Sequence, residues 1–577
     1  MTNSQIADAF DEIADLLEFQ GANPFRVRAY RNSARTIRDH AEPLASVVES
    51  DPHRLTELPG IGEDLAGKIV TLVQTGSLPM LEELRQQVPP SVLALLRIPG
   101  VGPKKAAALH RELGITTLDQ LREACTSGKV RQLKGFGEKT EQAILEGIQI
   151  AEQAHRRLYW AEADQIVQTL REHLRPCRAI QQLEFAGSYR RGKETVGDLD
   201  ILVVARDAKE VMDCLAAFPE TEEVLARGET KMSLRLAGGL QVDVRVVPEA
   251  SFGAALQYFT GSKEHNIILR GRARERGLKI NEYGVFRIHD GKEERIAGRT
   301  EEEVYAALGL PLFPPELREG RHEFEWADRD QLPELITLDD LRGDLHMHTD
   351  ASDGIASIQE MVAAAQSRGL SYIAITDHSQ RVSMAHGLDP KRLRAQWKEI
   401  DRIRRDLPDD FTLLKGVECD ILEKGGMDLP DDVLAEGDWV IASVHYGQKQ
   451  SRQQITERIL GALENPYVTV VAHPTGRLIN RREPYQVDLD AVFAAAKKHK
   501  KMLELNANPM RLDLNDIYCA AAKEHGIPIV ISSDAHAPAE IGVLRYGILQ
   551  ARRAGLTKKD VANTRPWSKL KQLLGRH

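Results

Sequence analysis

Residues 187–200 read GSYRRGKETVGDLD, and this stretch decides the fold of the middle of the chain. Asp198 and Asp200 flank Leu199 on a predicted strand, and because side chains alternate faces along a strand, both carboxylates point the same way. A later predicted strand, LQVDVRVV, contributes Asp243 in a similar setting. Three converging carboxylates predict a site for two Mg²⁺ ions, as used in in-line phosphoryl or nucleotidyl transfer. The alternative is an edge strand with solvated aspartates.

The turn before these aspartates suits a triphosphate. Gly187 and Ser188 provide a tight turn and a hydroxyl group, and Arg191 adds a planar cation that can bind phosphate oxygens. From about residue 180 to 290, short apolar or alternating runs are bounded by Gly, Asp and Pro. Such runs predict an α+β domain.

The first 155 residues or so predict short helices separated by glycine-containing breaks. Three segments, at 58–69, 98–109 and 133–144, share an apolar residue, a G-x-G turn and a following helix. Glycine allows close approach to a phosphate, and the amides of a helix start attract an anion. The repeats therefore predict helix-hairpin-helix elements that bind a DNA backbone without reading its sequence, although plain interhelical turns use the same residues. The predicted DNA contacts are Gly60, Gly62, Gly100, Gly102, Lys104, Gly135 and Gly137.

Lys68, in LAGKI, has two interpretations. It is either an ordinary surface lysine or a Schiff-base nucleophile against a deoxyribose aldehyde, the chemistry of an abasic-site lyase. The lyase role requires a lysine that loses its proton readily. Asp64, one helical turn earlier, would raise the lysine pKa and repel a DNA phosphate, so the sequence leaves both interpretations open.

A separate domain follows the stretch LPLFPPELREG at 310–320 and the charged segment after it, which have the composition of a linker. Beyond them, seven short apolar runs alternate with helical patterns, which predicts parallel β/α architecture able to close into a barrel. In such a barrel, polar residues just past the strands line the C-terminal mouth.

Metal-ligand residue types occur at the ends of these apolar runs. Six imidazoles and three carboxylates are too many for one ion, and mixed nitrogen and oxygen ligands suit Mn²⁺, Zn²⁺ or Fe²⁺. A cluster of two or three such ions predicts hydrolysis of phosphate esters, whereas a barrel that keeps its shape without metals is the alternative. The candidate ligands are His346, His348, Asp353, His378, Glu418, His445, His473, Asp534 and His536.

The pattern G-S-x-x-R-G-x(4)-G-D-x-D, a single later aspartate and YFTGS at 258–262 resemble the family X DNA polymerases, the group containing DNA polymerase beta. The resemblance covers residues 1–318. It implies that the three aspartates are catalytic metal ligands for Mg²⁺ or Mn²⁺ and that Ser188 and Arg191 hold the β- and γ-phosphates. It further implies that Gly197 lies near the nucleotide and that Tyr258, Phe259 and Gly261 face the sugar, Asn266 the base and Arg270 the template.

From about 340 to 575 the chain resembles the polymerase and histidinol phosphatase (PHP) domain, a distorted barrel of phosphoesterases. That resemblance implies that the nine residues above are ligands of two or three metal ions, with Asp377 in a supporting place and His386 and Arg477 as candidate substrate contacts. Both resemblances together are those of bacterial family X polymerases with a C-terminal PHP domain.

We therefore expect a multidomain chain with an N-terminal all-α helix-hairpin-helix region, an α+β nucleotidyltransferase palm and a C-terminal distorted (β/α)7 barrel. The expected boundaries are 1–82 for a lyase-like helical domain, 83–155 for a helix-hairpin-helix DNA-binding domain, 156–250 for the palm, 251–318 for a nucleotide- and template-binding subdomain, 319–340 for a linker and 341–577 for the barrel.

The expected function is DNA-directed DNA polymerisation that fills short gaps in DNA repair, including base excision repair, with 3′-5′ exonuclease activity in the barrel. Abasic-site incision and 3′-phosphate removal are variants of the second reaction. The alternatives are a nucleotidyltransferase with a non-DNA acceptor and a DNA-end scaffold with an inactive barrel. The expected partners are gapped or primed DNA and dNTPs.

Composition sets outer limits on these expectations. A chain of 577 residues is too long for a single binding module. Its net charge of −9 gives no general attraction to nucleic acid, so the prediction of DNA binding rests on the motifs. Five scattered cysteines and the absence of an apolar run of membrane-spanning length predict a cytoplasmic protein without membrane contact, and we expect a monomer.

Overall fold

The computed structural model describes residues 3–39, 44–58, 60–88, 95, 98, 101–154, 157–289 and 292–574. The chain divides into two compact units, one of residues 1–156 with 478–482 and the other of 157–477 with 483–577. Each unit is described by itself. No helix within these described ranges has the length and apolar character needed to cross a bilayer.

The described residues of the first unit between 3 and 154 form helices joined by short turns. Glycines in left-handed or extended conformations separate the helices, as at Gly60 with φ 76° and Gly135 with φ 89°. The first helix has an apolar face that is buried at Ile6, Phe10, Ile13, Leu16 and Leu17. The helices are α1 (Asn3–Phe19), α2 (Pro24–Asp39), α3 (Leu44–Ser50), α4 (Glu63–Thr75), α5 (Pro79–Gln87), α6 (Pro103–Leu113), α7 (Leu118–Thr126) and α8 (Glu138–Ala154).

The second unit begins with the palm, whose residues from 157 to 246 are all described. Its five-stranded sheet has the order β2-β4-β7-β6-β5, in which β4 and β7 are parallel and the other pairs antiparallel. The palm elements are β1 (Leu158–Tyr159), α9 (Trp160–Leu174), β2 (Ile180–Phe185), α10 (Gly187–Arg190), β3 (Thr195–Val196), β4 (Asp198–Ala205), α11 (Ala208–Ala216), β5 (Thr221–Arg227), β6 (Lys231–Leu236) and β7 (Gln241–Val246).

A smaller subdomain follows the palm and carries an antiparallel sheet of order β10-β9-β8. Residues 319–340, predicted as a linker, contain a helix and bury Phe324 and Ile336, which are 6% and 0% exposed. The elements are α12 (Phe252–Thr260), α13 (Lys263–Glu275), β8 (Leu278–Asn281), β9 (Gly284–His289), β10 (Lys292–Ala297), α14 (Glu301–Ala307) and α15 (Glu323–Asp328).

The remainder, fully described up to residue 574, forms a seven-stranded parallel barrel in which β11 to β17 pair in chain order. His348 N donates to Ala535 O at 2.7 Å, so the first and last strands nearly close the sheet, which confirms the predicted (β/α)7 barrel. The elements are β11 (Gly343–Asp344), α16 (Ile358–Ser367), β12 (Tyr372–Ile375), α17 (Pro390–Ile403), β13 (Thr412–Asp420), α18 (Asp431–Leu434), β14 (Trp439–Ser443), α19 (Arg452–Glu464), β15 (Val470–Val471), α20 (Leu489–Lys498), β16 (Met502–Asn506), α21 (Asp516–Glu524), β17 (Ile529–Ser532), α22 (Leu544–Arg553) and α23 (Trp567–Leu573).

A buried ion pair in the second unit predicts acid sensitivity. Glu301 accepts from Arg318, which is 0% exposed, and from Arg190 at 2.7 Å. Although burial opposes it, the two guanidinium groups lower the pKa of Glu301 from 4.5 to about 2. A depressed carboxyl pKa stabilises the fold above the unfolded value and loses that stabilisation as pH falls, here from about 4.5 towards about 2.

We expect wild-type protein to lose about 3 kcal/mol of unfolding free energy across that pH window from this group alone. Urea unfolding followed by tryptophan fluorescence at pH 7 and at pH 3 would detect about 2 kcal/mol of this loss, because pH 3 lies within the window. Glu301→Gln should be less stable at pH 7 and less sensitive to acid, whereas Glu302→Gln, an exposed neighbour, should behave as wild type. Equal acid sensitivity of wild type and Glu301→Gln would contradict the prediction.

Candidate active sites

The three predicted metal-binding aspartates lie at one end of the palm sheet. Asp200 pairs directly with Asp243 across the parallel strands β4 and β7, and Asp198 lies two residues earlier on β4. Burial, together with the charges of Asp198 and Asp243, raises the pKa of Asp200 to about 7. A divalent cation would relieve this repulsion, and an all-carboxylate donor set fits Mg²⁺ or Mn²⁺.

Two side chains that sequence reasoning missed hold Asp243 in place. Ser233, directly opposite on β6, donates its hydroxyl to Asp243 Oδ1, and Gln241 Nε2 donates to Oδ2 at 2.9 Å. Cross-strand register between β6 and β7 identifies Ser233, but register was not available from the sequence.

The turn of residues 187–192 lies directly against the aspartates. Gly187 has φ 64°, and a Cβ added there would lie 2.7 Å from Asp200 Oδ2, so the position requires glycine. Among the described residues, Ser188 Oγ is buried without a hydrogen-bond partner, which fits a hydroxyl that awaits a phosphate oxygen. Gly197 is half-buried and connects β3 to β4.

Arg191, predicted to bind the triphosphate, is 9% exposed. Its Nε donates to Glu319 Oε1 at 3.0 Å and its Nη1 to the carbonyl of Thr260. The guanidinium is therefore held in one orientation before any nucleotide arrives.

The YFTGS segment ends helix α12. Asn266 is 7% exposed, and its Nδ2 donates to Tyr258 O at 2.8 Å while its Oδ1 accepts from Gln257 Nε2 at 2.7 Å. Gly261, with φ 72°, closes the helix. The buried amide of Asn266 thus fixes the backbone that carries the aromatic residues.

Two arginines cover the aromatic rings of this segment. The Arg245 guanidinium lies 4.6 Å from the centre of the Phe259 ring, and that of Arg270 lies 5.6 Å from the centre of the Tyr258 ring. Because Arg245 is two residues beyond Asp243 on β7, these contacts join the predicted sugar-facing segment to the carboxylates.

His265 in the same segment has a structural place that the sequence did not explain. It is 0% exposed, and its ring nitrogens lie 2.9 Å from Glu323 Oε1 and 2.9 Å from the Tyr305 hydroxyl. Its partners follow it by 40 residues or more, so no local signal identified it.

In the first unit, the predicted DNA contacts lie at the starts of helices. Gly62 and Gly102 are the N-cap residues of α4 and α6, and Lys104 is exposed in the first turn of α6. Gly60, Gly135 and Gly137 lie in the turns before α4 and α8, while Gly100 lies outside the described residues.

Lys68 is paired in the structure. Its Nζ donates to Asp64 and lies 5.6 Å from the centre of the Tyr30 ring. Burial lowers the pKa of Lys68, but the hydrogen bonds of Asp64 and Tyr30 outweigh it and raise the pKa above its usual value. This environment opposes the proton loss that a Schiff-base nucleophile needs.

The nine candidate ligands of the barrel converge on one place at its C-terminal mouth, and Glu418 is at their centre. Glu418 is 1% exposed, and its carboxylate oxygens lie within 3.6 Å of ring nitrogens of five histidines. The distances are 2.8 Å to His378, 3.1 Å to His473, 3.3 Å to His445, 3.4 Å to His346 and 3.6 Å to His348.

Eight of the nine residues form three overlapping groups whose ligand atoms lie within 4.8 Å of one another. His348 and His378 each belong to two groups, so the groups share ligands as a multinuclear centre would. The groups are His348, Asp353, His378 and His536; His346, His348 and Asp534; and His378, Glu418 and His445.

The electrostatics of this cluster fit metal ions. Burial, with the neighbouring His536 and His378, lowers the pKa of His348 to about 4. At His346, His378 and His445 the surrounding carboxylates outweigh burial and raise the pKa, so this place attracts positive charge of the kind that a metal ion would supply. Despite burial, the surrounding histidines hold the pKa of Glu418 well below its usual range. Within the described residues, His346 Nε2 and His348 Nδ1 are buried without a hydrogen bond.

Two carboxylates that sequence reasoning missed orient the ligands. Glu504 Oε1 lies 2.6 Å from His346 Nδ1, and Glu504 Oε2 accepts from His473 N at 2.7 Å. Asp420 Oδ1 lies 3.1 Å from His445 Nδ1. Such outer partners fix the ring orientation of metal-binding histidines. Asp420 shares a strand face with Glu418 two residues earlier, so strand alternation could have identified it.

Two further expectations concern residues near this centre. Asp377 accepts from Thr349 N at 2.8 Å and from Gln396, so it supports the loop after His348. Arg477 donates to Glu194 Oε2 of the palm and to Leu512 O, both at 2.6 Å, so its side chain joins barrel and palm.

Family models match successive segments of the chain. They are a helix-hairpin-helix domain at 1–78, a SAM-like helix-hairpin-helix tandem at 92–149, a DNA polymerase beta palm at 157–235, a DNA polymerase beta thumb at 255–319 and a PHP domain at 344–508.

Similar proteins cover either the whole chain or one of its parts. DNA polymerase lambda of Rattus norvegicus is 25% identical over 55% of this chain and 56% of its own. A probable phosphatase of Thermoanaerobacter sp. (strain X514) is 30% identical over 38% of this chain and 89% of its own. The DNA polymerase/3′-5′ exonuclease PolX of Bacillus subtilis (strain 168) is 40% identical over 100% of both chains. The chain therefore belongs to the family X DNA polymerases that carry a C-terminal PHP domain.

Proposed function

We propose that the chain fills short gaps in DNA as a DNA-directed polymerase and shortens 3′ ends as a 3′-5′ exonuclease, both in DNA repair. One observation carries the proposal. A single compact unit holds two separate sets of metal-type ligands, the palm aspartates in register on parallel strands and the nine residues at the barrel mouth.

At the palm, Asp198, Asp200 and Asp243 would hold Mg²⁺ or Mn²⁺, which when bound supplies charge neutralisation at the transferring phosphate. Asp243 would help to activate the primer 3′-hydroxyl. Ser188 and Arg191 hold the β- and γ-phosphates, Ser188 through its unpaired hydroxyl and Arg191 through its planar cation.

The segment that ends α12 selects the nucleotide. The backbone of Tyr258, Phe259 and Gly261 faces the sugar, where bulk against a 2′-hydroxyl favours deoxyribose. Asn266 positions this backbone through its bond to Tyr258 O, and the family resemblance assigns it to the incoming base. Arg270 reaches the template strand.

In the barrel, the nine residues would hold two or three ions of Mn²⁺, Zn²⁺ or Fe²⁺, which supply Lewis acidity to a phosphate ester. Glu504 and Asp420 fix the rings of His346 and His445. Hydrolysis of the 3′-terminal phosphodiester is the reaction proposed, with abasic-site incision or 3′-phosphate removal as related outcomes.

The first unit binds DNA through the amides at its glycine turns and through Lys104, without reading sequence. Lys68 pairs with Asp64, so in this proposal it is a structural lysine and not a lyase nucleophile. We place the protein in the cytoplasm as a monomer with the domain boundaries given above.

A primer-extension assay tests the proposal. A labelled primer in a one-nucleotide gap is incubated with the protein and Mn²⁺, with and without dNTPs. We expect extension with dNTPs and shortening without them. Normal binding of gapped DNA with no added nucleotide would refute the polymerase function. Faster nucleotide addition to an RNA or small-molecule acceptor would favour a different nucleotidyltransferase.

Gly187→Ala should strongly slow primer extension, the reaction of the palm. The added methyl would lie 2.7 Å from Asp200 Oδ2 at a residue with φ 64°, so the turn or the carboxylate must move. We expect a fall of about 100-fold in kcat/KM for dNTP, since misplacement by about 1 Å has effects of that order. Gly271→Ala, a helical glycine with open space around it, is the matched control. Wild-type extension by Gly187→Ala would contradict the assignment.

A further inference from the structure

One barrel helix packs directly on the turn that is proposed to bind the triphosphate. Helix α22 presents one face to the palm. That face begins at Arg545 and continues with the residues one, four, five and eight positions after it. Arg553 Nη1 donates to Arg191 O at 2.8 Å, and Gln550 Nε2 donates to Gly192 O at 3.2 Å. Leu549 fills the space beside Gly192, where an added Cβ would lie 3.3 Å from its Cδ2.

The start of the same helix holds the base of the turn. Tyr546 packs edge-on against Trp160 at 5.8 Å between ring centres, and Trp160 stacks on Tyr189 at 5.0 Å. Arg545 pairs with Asp164 at 3.1 Å, and Asp164 also accepts from the Tyr189 hydroxyl at 2.6 Å. The turn of residues 187–192 is therefore braced along its length by the barrel.

A buried charge cluster joins Arg553 to the nucleotide-binding arginine. Glu319 Oε1 accepts from Arg191 Nε at 3.0 Å and from Arg553 Nη1 at 2.8 Å, so one oxygen serves both. Arg553 is 6% exposed, and its Nη2 donates to Asp516 Oδ2 at 2.8 Å.

The cluster has more positive than negative groups. Lys193 lies 3.8 Å from Glu319, and Arg321 lies 3.1 Å from Asp516. With Arg191 and Arg553, four cations therefore face two carboxylates. The two additional cations, Lys193 and Arg321, are partly exposed at the edge of this cluster, so the surplus of positive charge adjoins the turn where a triphosphate would be bound.

We propose that Arg553, a residue of the barrel, is a positioning residue for the polymerase's nucleotide site, so that the barrel sets the affinity for the incoming dNTP. The proposal rests on the proposed polymerase function of the palm. Arg553 competes with Arg191 for Glu319 and holds the backbone of Arg191 in place. Without Arg553, Glu319 would keep only Arg191 and the more distant Lys193, which draws the Arg191 guanidinium away from the phosphates and frees the turn.

The test measures dNTP dependence of gap filling by the full chain. Arg553→Met should raise KM for dNTP by about tenfold with kcat within about twofold of wild type, because ground-state binding of the triphosphate is lost. Binding of dNTP to a complex with a dideoxy-terminated primer should weaken by a similar factor, which measures affinity without turnover.

Arg552→Met is the matched control. Arg552 is on the same helix and also forms an ion pair outside the barrel, with Glu316 at 2.7 Å, but its partners are not in the turn. We expect its KM to match wild type. Gln550→Ala, which removes one neutral hydrogen bond to the turn, should raise KM by about threefold and is the milder variant if Arg553→Met folds poorly.

Arg553→Lys, which keeps the charge, should recover part of the affinity. Glu319→Gln combined with Arg553→Met should change KM by less than the product of the single effects, since both act through Arg191. If wild type extends DNA and both Arg553→Met and Gln550→Ala match Arg552→Met, the inference is overturned. If wild type adds no nucleotide at all, the polymerase function fails first.

Discussion

Asp200→Ala is expected to abolish primer extension while 3′ shortening continues. Asp200 lies two residues from Asp198 on β4 and directly opposite Asp243 on β7. Its loss removes the carboxylate that lies next to both of the others. Loss of a ligand that neutralises the transferring phosphate should lower kcat/KM for dNTP by about 10⁴-fold, or roughly 5 kcal/mol of transition-state stabilisation. The measurement is single-nucleotide gap filling with Mn²⁺ on a denaturing gel.

The control for this variant is Asp213→Ala, which removes an exposed palm carboxylate that pairs with Arg227. It should extend the primer at the wild-type rate. Extension by Asp200→Ala within about tenfold of wild type would show that the three aspartates do not form the polymerase centre. Loss of both extension and shortening in that variant would contradict two separate centres.

Glu418→Gln is expected to abolish shortening of 3′ ends and to leave gap filling intact. Five imidazoles face this carboxylate, so replacing it with a neutral amide of the same size removes the charge that all of them share. We expect at least about 10³-fold slower shortening, as for loss of a central metal ligand. Release of labelled nucleotide from a primer without dNTPs measures this rate.

Metal content gives the second readout for Glu418→Gln. Inductively coupled plasma mass spectrometry of wild type should find two or three transition-metal ions per chain after loading, and fewer in the variant. Glu423→Gln, on the loop after the same strand and paired with Arg381, is the matched control and should bind and shorten as wild type does. Unchanged metal content and shortening in Glu418→Gln would exclude the barrel as the nuclease.

Much of the fold was predictable because its signals are local. Strand alternation placed Asp198 and Asp200 on one face, and the seven apolar runs with polar ends indicated a parallel barrel with its ligands at one mouth. The first pattern depends on the two-residue period of a strand, and the second depends on parallel strands ending at the same edge of a sheet. Both can be recognised from residues that are close together in the sequence.

What the sequence could not supply were contacts between distant segments. Glu504 lies 158 positions from its partner His346, and Ser233 meets Asp243 only through the register of two strands. The hydrogen bond from Arg191 to Glu319 likewise joins residues that lie 128 positions apart. Local pattern and composition carry no information on such pairs.

The packing of helix α22 on the palm limits how the chain can be divided. A fragment that ends near residue 340 would lose Tyr546 and Leu549, and it would uncover Trp160, Tyr189 and the uncompensated carboxylate Glu194. Exposed aromatic surface of this kind promotes self-association. We therefore expect a chain truncated near residue 340 to aggregate where the intact chain remains dispersed.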